Sequence, residues 1–164
     1  MSTALEKMQV EVKDRELVFT RMFDAPRQMV WDAFTKVEHL VNWWGPHNFT
    51  NKDCTVDLRV GGRMEITMVG MGGEYPCLFI FEEIVPIEKI VWLDKVVEGD
   101  FWGPAGPPPN TLMTLLLEDH GSRTKMISIS KFDDNAGRDK ILAMQAAEGW
   151  AQSFERLDAL LAAV

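Results

Sequence analysis

The 164-residue sequence has only two cysteines and three histidines. Cys54, Cys77, His39, His47 and His120 are dispersed and show no spacing of the kind a zinc site requires. The two cysteines fall in separate strand-like segments. Buried, reduced thiols acting as small hydrophobes are the expected state, and a redox pair requires the two strands to be neighbours. No apolar run approaches the roughly 20 residues of a membrane-spanning helix, so membrane insertion is not expected. The opening MSTALEKMQVEVKDREL lacks the basic and apolar regions of a secretory leader, which makes a cytoplasmic location the expectation. Basic residues are in the minority, 17 Lys and Arg against 25 Asp and Glu, for a net charge of −8. No run of them forms a stripe, so nucleic-acid binding driven by counterion release is not expected. The sequence contains no GxSxG, Walker loop, dinucleotide glycine fingerprint or HExxH. No cofactor or metal is expected.

What is present describes one globular α+β domain. Hydrophobic residues make up 46% and charged residues 26%, an ordinary balance for a chain able to bury a core. Residues 1–15 are expected as a flexible N-terminal segment and 16–164 as a single domain. Residues 16–23 alternate as a first strand, with Leu17, Phe19 and Arg21 on one face. Asp24 is placed to cap a helix whose first turn holds Pro26, and Val30, Trp31 and Phe34 give that helix an apolar stripe. A second short helix, VEHLVNWW, closes at Gly45-Pro46. Strand-like segments follow at 54–59, 63–68, 75–84, 89–97, 111–118 and 124–131, an antiparallel meander of six or seven strands in all. Residues 99–110, GDFWGPAGPPPN, are too rich in Gly and Pro for regular structure. They carry Phe101 and Trp102, which fit either a lid over a cavity or a plug at the open end of the fold. A single helix is expected from about Asp139 to Ala163. Its apolar residues recur in steps of three and four from Ile141 to Leu161.

Five motifs recur in this order: FDAPRQMVWDAFT at 23–35, Trp43-Trp44-Gly45-Pro46, Asp57-Leu58-Arg59-Val60-Gly61-Gly62, Glu83-Ile84-Val85-Pro86, and Glu148-Gly149-Trp150. Together they span about residues 17–162. In this the sequence resembles the activator of heat-shock-protein ATPase homologue (Aha-type) branch of the START-like, or SRPBCC, helix-grip superfamily. The resemblance implies a Bet v-type architecture, in which a curved antiparallel sheet wraps a long C-terminal helix around a cavity. It implies no single activity, because the superfamily includes lipid carriers, cyclases and co-chaperone domains. Most motif residues have structural explanations. Gly61 and Gly62 are expected to supply positive φ for a tight turn, Asp57 and Arg59 to pair across it, and Gly149 to permit close helix–sheet packing.

The expected function is binding of a small hydrophobic ligand in that cavity, with ten methionines and six tryptophans available as an adaptable wall. Candidate ligand-binding residues are Trp43 and Trp44 near the opening, with Met64, Ile66 and Met68 on one strand. Phe79, Phe81, Trp92 and Met113 are candidates on others, Phe101 and Trp102 in the loop. Met144, Glu148, Ala151 and Phe154 are candidates on the helix. Glu148 is also the best candidate for a catalytic carboxylate in a cyclase- or hydrolase-like alternative, ahead of Glu74, His47 and His120. A third alternative is a protein-interaction domain with a chaperone partner. A homodimer is left open.

Overall fold

The structure is a computed structural model that describes residues 3–99, 102, 104 and 106–163. Eight strands form one curved antiparallel sheet that does not close into a barrel: β1 (Gln9–Lys13), β2 (Glu16–Phe23), β3 (Thr50–Val56), β4 (Arg63–Gly70), β5 (Gly73–Val85), β6 (Lys89–Lys95), β7 (Thr111–His120) and β8 (Arg123–Lys131). The spatial order is β1-β2-β8-β7-β6-β5-β4-β3. Five helices accompany it: α1 (Thr3–Glu6), α2 (Arg27–Thr35), α3 (Val37–Trp43), α4 (Asn135–Ala143) and α5 (Ala146–Ala163). The expected helix-grip architecture is present, with one strand more than the meander predicts. That strand, β1, and the short α1 lie within the segment expected to be flexible. β1 pairs with β2 from Gln9↔Thr20 to Lys13↔Glu16, and all five of its residues are exposed.

Side chains on a pleated strand alternate between faces, and antiparallel pairing converts that alternation into rows across the sheet. One inward row runs Phe81, Trp92, Met113, Ser130 and Leu17. The next runs Met64, Phe79, Asp94 and Thr111. Register shifts between Lys52 and Thr55 and between Phe81 and Glu83 increase the local twist, as bulges do, and help bend the sheet. α5 lies across the concave face and buries Ala151, Ser153, Phe154, Leu157 and Leu161. Phe154 meets Phe23 edge-on at 5.7 Å and stacks with Trp150 at 5.6 Å. α2 buries Val30, Trp31 and Phe34 as its stripe predicts, and Trp43 at the end of α3 donates Nε1–H to the Ala33 carbonyl at 2.9 Å.

Local details depart from the sequence reading. Pro26 itself is the N-cap of α2, where its fixed φ and missing N–H cost nothing. Asp24 instead accepts a 2.7 Å hydrogen bond from Arg123 Nε. β3 starts at Thr50 and ends at Val56, so residues 57–62 form a loop, with the Asp57–Arg59 pair closed at 2.8 Å. Gly61 has φ +83°, as expected, but Gly62 is required for another reason: a Cβ there would collide with the Asp57 carbonyl oxygen. The single terminal helix is two helices. α4 ends at Ala143, Gln145 turns left-handed at φ +61°, and α5 begins at Ala146. A left-handed residue beyond the last turn terminates a helix, and glycine normally marks the place. Here glutamine occupies it, and the apolar spacing runs on through the break unchanged.

Candidate functional site

Between the α4–α5 break, the concave face of the sheet and the chain that follows β6 lies a cavity of about 650 Å³, within the range of small-molecule sites. Its upper wall is the turn after α3. Arg156 of α5 donates Nη1–H to three carbonyls of that turn, those of Trp44 at 3.0 Å, Gly45 at 2.9 Å and Pro46 at 3.1 Å. Asn51 Nδ2 adds a 2.8 Å bond to the Trp44 carbonyl. A guanidinium at the carbonyl end of a helix satisfies its orphan acceptors and complements its dipole. The result is a fixed Trp44, whose ring meets Phe79 at 5.4 Å and Trp150 at 5.2 Å, both edge-on. Gly45, at φ +93°, leaves room for the Met68 sulfur 3.0 Å from where a Cβ would stand.

The floor is the inward row of β5 and β6, with Cys77, Phe79 and Asp94. The far wall is tied together by three hydrogen bonds. Trp102 Nε1 donates to the Val97 carbonyl at 2.9 Å, Val96 N to Asn110 Oδ1 at 2.8 Å, and Lys140 Nζ to the Pro107 carbonyl at 2.8 Å.

Of the candidate residues, Trp44, Met68, Phe79, Trp102, Met144 and Glu148 stand on the cavity wall. Trp43, Met64, Ile66, Phe81, Trp92, Met113, Ala151 and Phe154 are placed in the packed core, each no more than 6% exposed. The hollow is therefore filled at its centre and open at one end. Phe101 lies outside the described residues. Glu148 is half-buried on the wall. The other acid–base candidates are engaged at the surface. Glu74 pairs with Lys52 at 2.8 Å, His120 with Glu118 at 3.4 Å, and His47, at the cavity rim, with Glu155 at 3.1 Å. The His47 hydrogen bond holds the Glu155 carboxyl below its ordinary range. Gly149 does not make the close approach expected of it: a Cβ there would meet only Pro46 Cγ, at 3.9 Å. It lines the cavity instead.

The group that sequence reasoning missed is Asp94. It follows Ile90 and Trp92 at the two-residue period of the inward face, so the signal was there as a charge at an inward position. Burial pushes its carboxyl up to about 7 from an ordinary 3.8. Its neighbour Cys77 is pushed to about 12, by burial first and then by the Asp94 charge, with a Trp44 hydrogen bond opposing. Cys54 and Cys77 are both free and stand on β3 and β5, with β4 between them, so the strands a redox pair needs are not adjacent. At pH 8 a thiol titrating near 12 is ionised to only about one part in ten thousand. Native protein treated with iodoacetamide at that pH is expected to retain an unmodified Cys77 by mass spectrometry, with Cys54 reacting first. Rapid native labelling of Cys77 would contradict its burial. Among the described residues, no group of three or more His, Cys, Asp and Glu side chains is placed to hold a metal ion. No described helix is long and apolar enough to cross a membrane.

A family model described as activator of Hsp90 ATPase homolog 1-like protein matches residues 24–162. No curated protein matches the chain. Among solved structures, a protein of Arthrobacter aurescens superposes with a TM-score of 0.84 at 25% identity, over 95% of this chain and 92% of the other. A protein of Nitrosomonas europaea gives 0.80 at 25% identity, over 92% and 96%. The AHSA1 protein of Silicibacter pomeroyi gives 0.71 at 19% identity, over 90% and 97%, and supports the fold alone. The chain belongs to the activator of Hsp90 ATPase homolog 1-like family, within the helix-grip superfamily.

Proposed function

We propose that this protein binds a small, largely apolar organic molecule in the cavity beneath Trp44. Fold and family together support a ligand-binding or co-chaperone-like role in general. The observation that favours the ligand is the cavity itself: about 650 Å³ walled by Trp44, Phe79, Met68, Trp102 and Met144. An aromatic and methionine wall of that size suits a flexible apolar body.

Gly149 provides the test. An alanine there meets nothing closer than ordinary contact, and replacing a glycine in the first turn of α5 stabilises by up to about 1 kcal/mol, the value for a helix interior. Leucine at the same place directs an isobutyl group into the cavity. Gly149→Ala is expected to raise the melting temperature. Gly149→Leu is expected to stay folded yet lose at least about tenfold in affinity for decanol, a loss of about 1.4 kcal/mol, read by quenching of tryptophan emission. Equal binding by wild type and Gly149→Leu would remove the cavity as the site.

The family description supports a second reading, a domain that stimulates a chaperone ATPase by protein contact. Its measure is the ATPase rate of the host's chaperone with and without this protein. The cyclase- or hydrolase-like alternative has less behind it: Glu148 accepts no hydrogen bond from any described residue that would orient it as an acid or base.

A further inference from the structure

The apolar reading leaves one chemical feature of the cavity unused. Asp94 projects from the floor between Phe79 and Thr111, its partners in register on β5 and β7. Its carboxylate forms no hydrogen bond or ion pair with any described residue, and burial alone acts on it. A half-buried carboxylate without a donor is an expensive thing to keep in an apolar recess.

Three donors on the cavity wall are spent elsewhere. The Thr111 hydroxyl donates to the Pro109 carbonyl at 3.4 Å, Ser153 Oγ to the Gly149 carbonyl at 2.9 Å, and Trp102 Nε1 to the Val97 carbonyl. The other titratable groups along the wall are Glu148 on α5, Cys77 on β5, His47 at the rim and Lys95. His47 is engaged with Glu155. Lys95 is exposed and stands one residue out of phase with the inward row. The recess therefore carries an unpaired carboxylate, in a wall that includes the rings of Trp44, Phe79 and Trp150. Aromatic faces beside a carboxylate favour a cation over a neutral or anionic group.

We propose that the occupant is an organic amine, its apolar body in the cavity and its protonated nitrogen on the Asp94 carboxylate. This deepens the ligand-binding reading and rests on it.

The test uses the full chain with three probes of equal length, decylamine, decanol and decanoate, titrated at pH 8 and followed by tryptophan emission and calorimetry. Alkylamines are protonated at that pH, as a lysine side chain is. Wild type is expected to bind decylamine about ten- to a hundredfold tighter than decanol, the range of a charge-assisted hydrogen bond, and decanoate least. Asp94→Asn should lower decylamine to the level of decanol and leave decanol unchanged. Asp94→Ser, which also removes the charge, should behave alike. A preference for decanol or decanoate in wild type overturns the amine proposal and leaves the apolar reading standing. So does an amine preference that survives Asp94→Asn, or one abolished by Glu148→Gln. Binding of none of the three probes overturns both.

Discussion

Asp158→Ala is expected to cost the fold about 3 kcal/mol, the largest loss predicted here for a single polar side chain. Its partner Arg21 stands on the inward face of β2 with its side chain 2% exposed. The guanidinium fork is closed by Asp158 of α5, with Nη1 to Oδ1 at 2.9 Å and Nη2 to Oδ2 at 2.6 Å. It also lies 4.8 Å from the centre of the Phe23 ring, while Nε has no partner among the described residues. Removing one member of a buried pair leaves an uncompensated charge, which costs about 3–5 kcal/mol. The lower end applies because the Asp158 side chain is 36% exposed. A polar groove of about 750 Å³ alongside admits water to the orphaned cation. Replacing both members by apolar residues, Arg21→Met with Asp158→Leu, is expected to recover most of the loss. Urea denaturation of the single and double variants measures this. An unchanged midpoint in Asp158→Ala would mean that the guanidinium is solvated rather than buried.

Asp94→Asn is expected to stabilise the protein, and only on one side of a pH window. In the folded chain the carboxyl keeps its proton to about pH 7, while the ordinary value is 3.8. Between those limits the folded state binds more protons than the unfolded, so stability falls as pH rises through the window. The penalty is absent below the lower limit and complete above the upper one. At 1.36 kcal/mol per pH unit it amounts to about 4 kcal/mol, which water entering the open cavity reduces to about 2. The variant should therefore gain about 2 kcal/mol at pH 8 and almost nothing at pH 4, measured by denaturant unfolding at the two pH values. A variant less stable than wild type at pH 8 would show that ionised Asp94 helps the fold, and burial would no longer explain its titration. A group retained at such a cost is what a binding site, rather than a core, is expected to contain.

Much of this architecture was legible because the physics behind it is periodic. The two-residue rhythm of β2 put Leu17, Phe19 and Arg21 on one face, and all three are buried. The stripe of α2 and the spacing of α5 were equally plain. What the sequence does not display has a different origin. Strand β1, QVEVK, alternates, but neither face is covered, so its pattern carries no burial signal. The break at Gln145 uses a left-handed conformation that glutamine's side chain does not announce. Wall and core are hard to tell apart in the sequence for one reason: large apolar residues on an inward face are equally suited to fill space and to line it. Which they do depends on where α5 crosses, and that is a tertiary fact. Trp43 and Trp44 are adjacent in sequence, yet the first fills the core and the second walls the cavity. Asp94 is obscured because a carboxylate that follows Ile90 and Trp92 near the end of β6 reads equally as the point where the strand reaches solvent.

The pairing of β2 with β8, from Glu16↔Lys131 to Phe23↔Thr124, has a consequence for how the chain is made. An early strand finds this neighbour only after about a hundred further residues have been made, and Arg21 finds Asp158 137 residues later. Contacts so remote in sequence must first meet the entropy of closing a long loop, which slows folding. A nascent chain arrested before β8 holds β2 with one flank unpaired and its apolar face uncovered. Such an intermediate is adhesive, so the protein's exposure to misassembly during synthesis ends only when its final helix emerges.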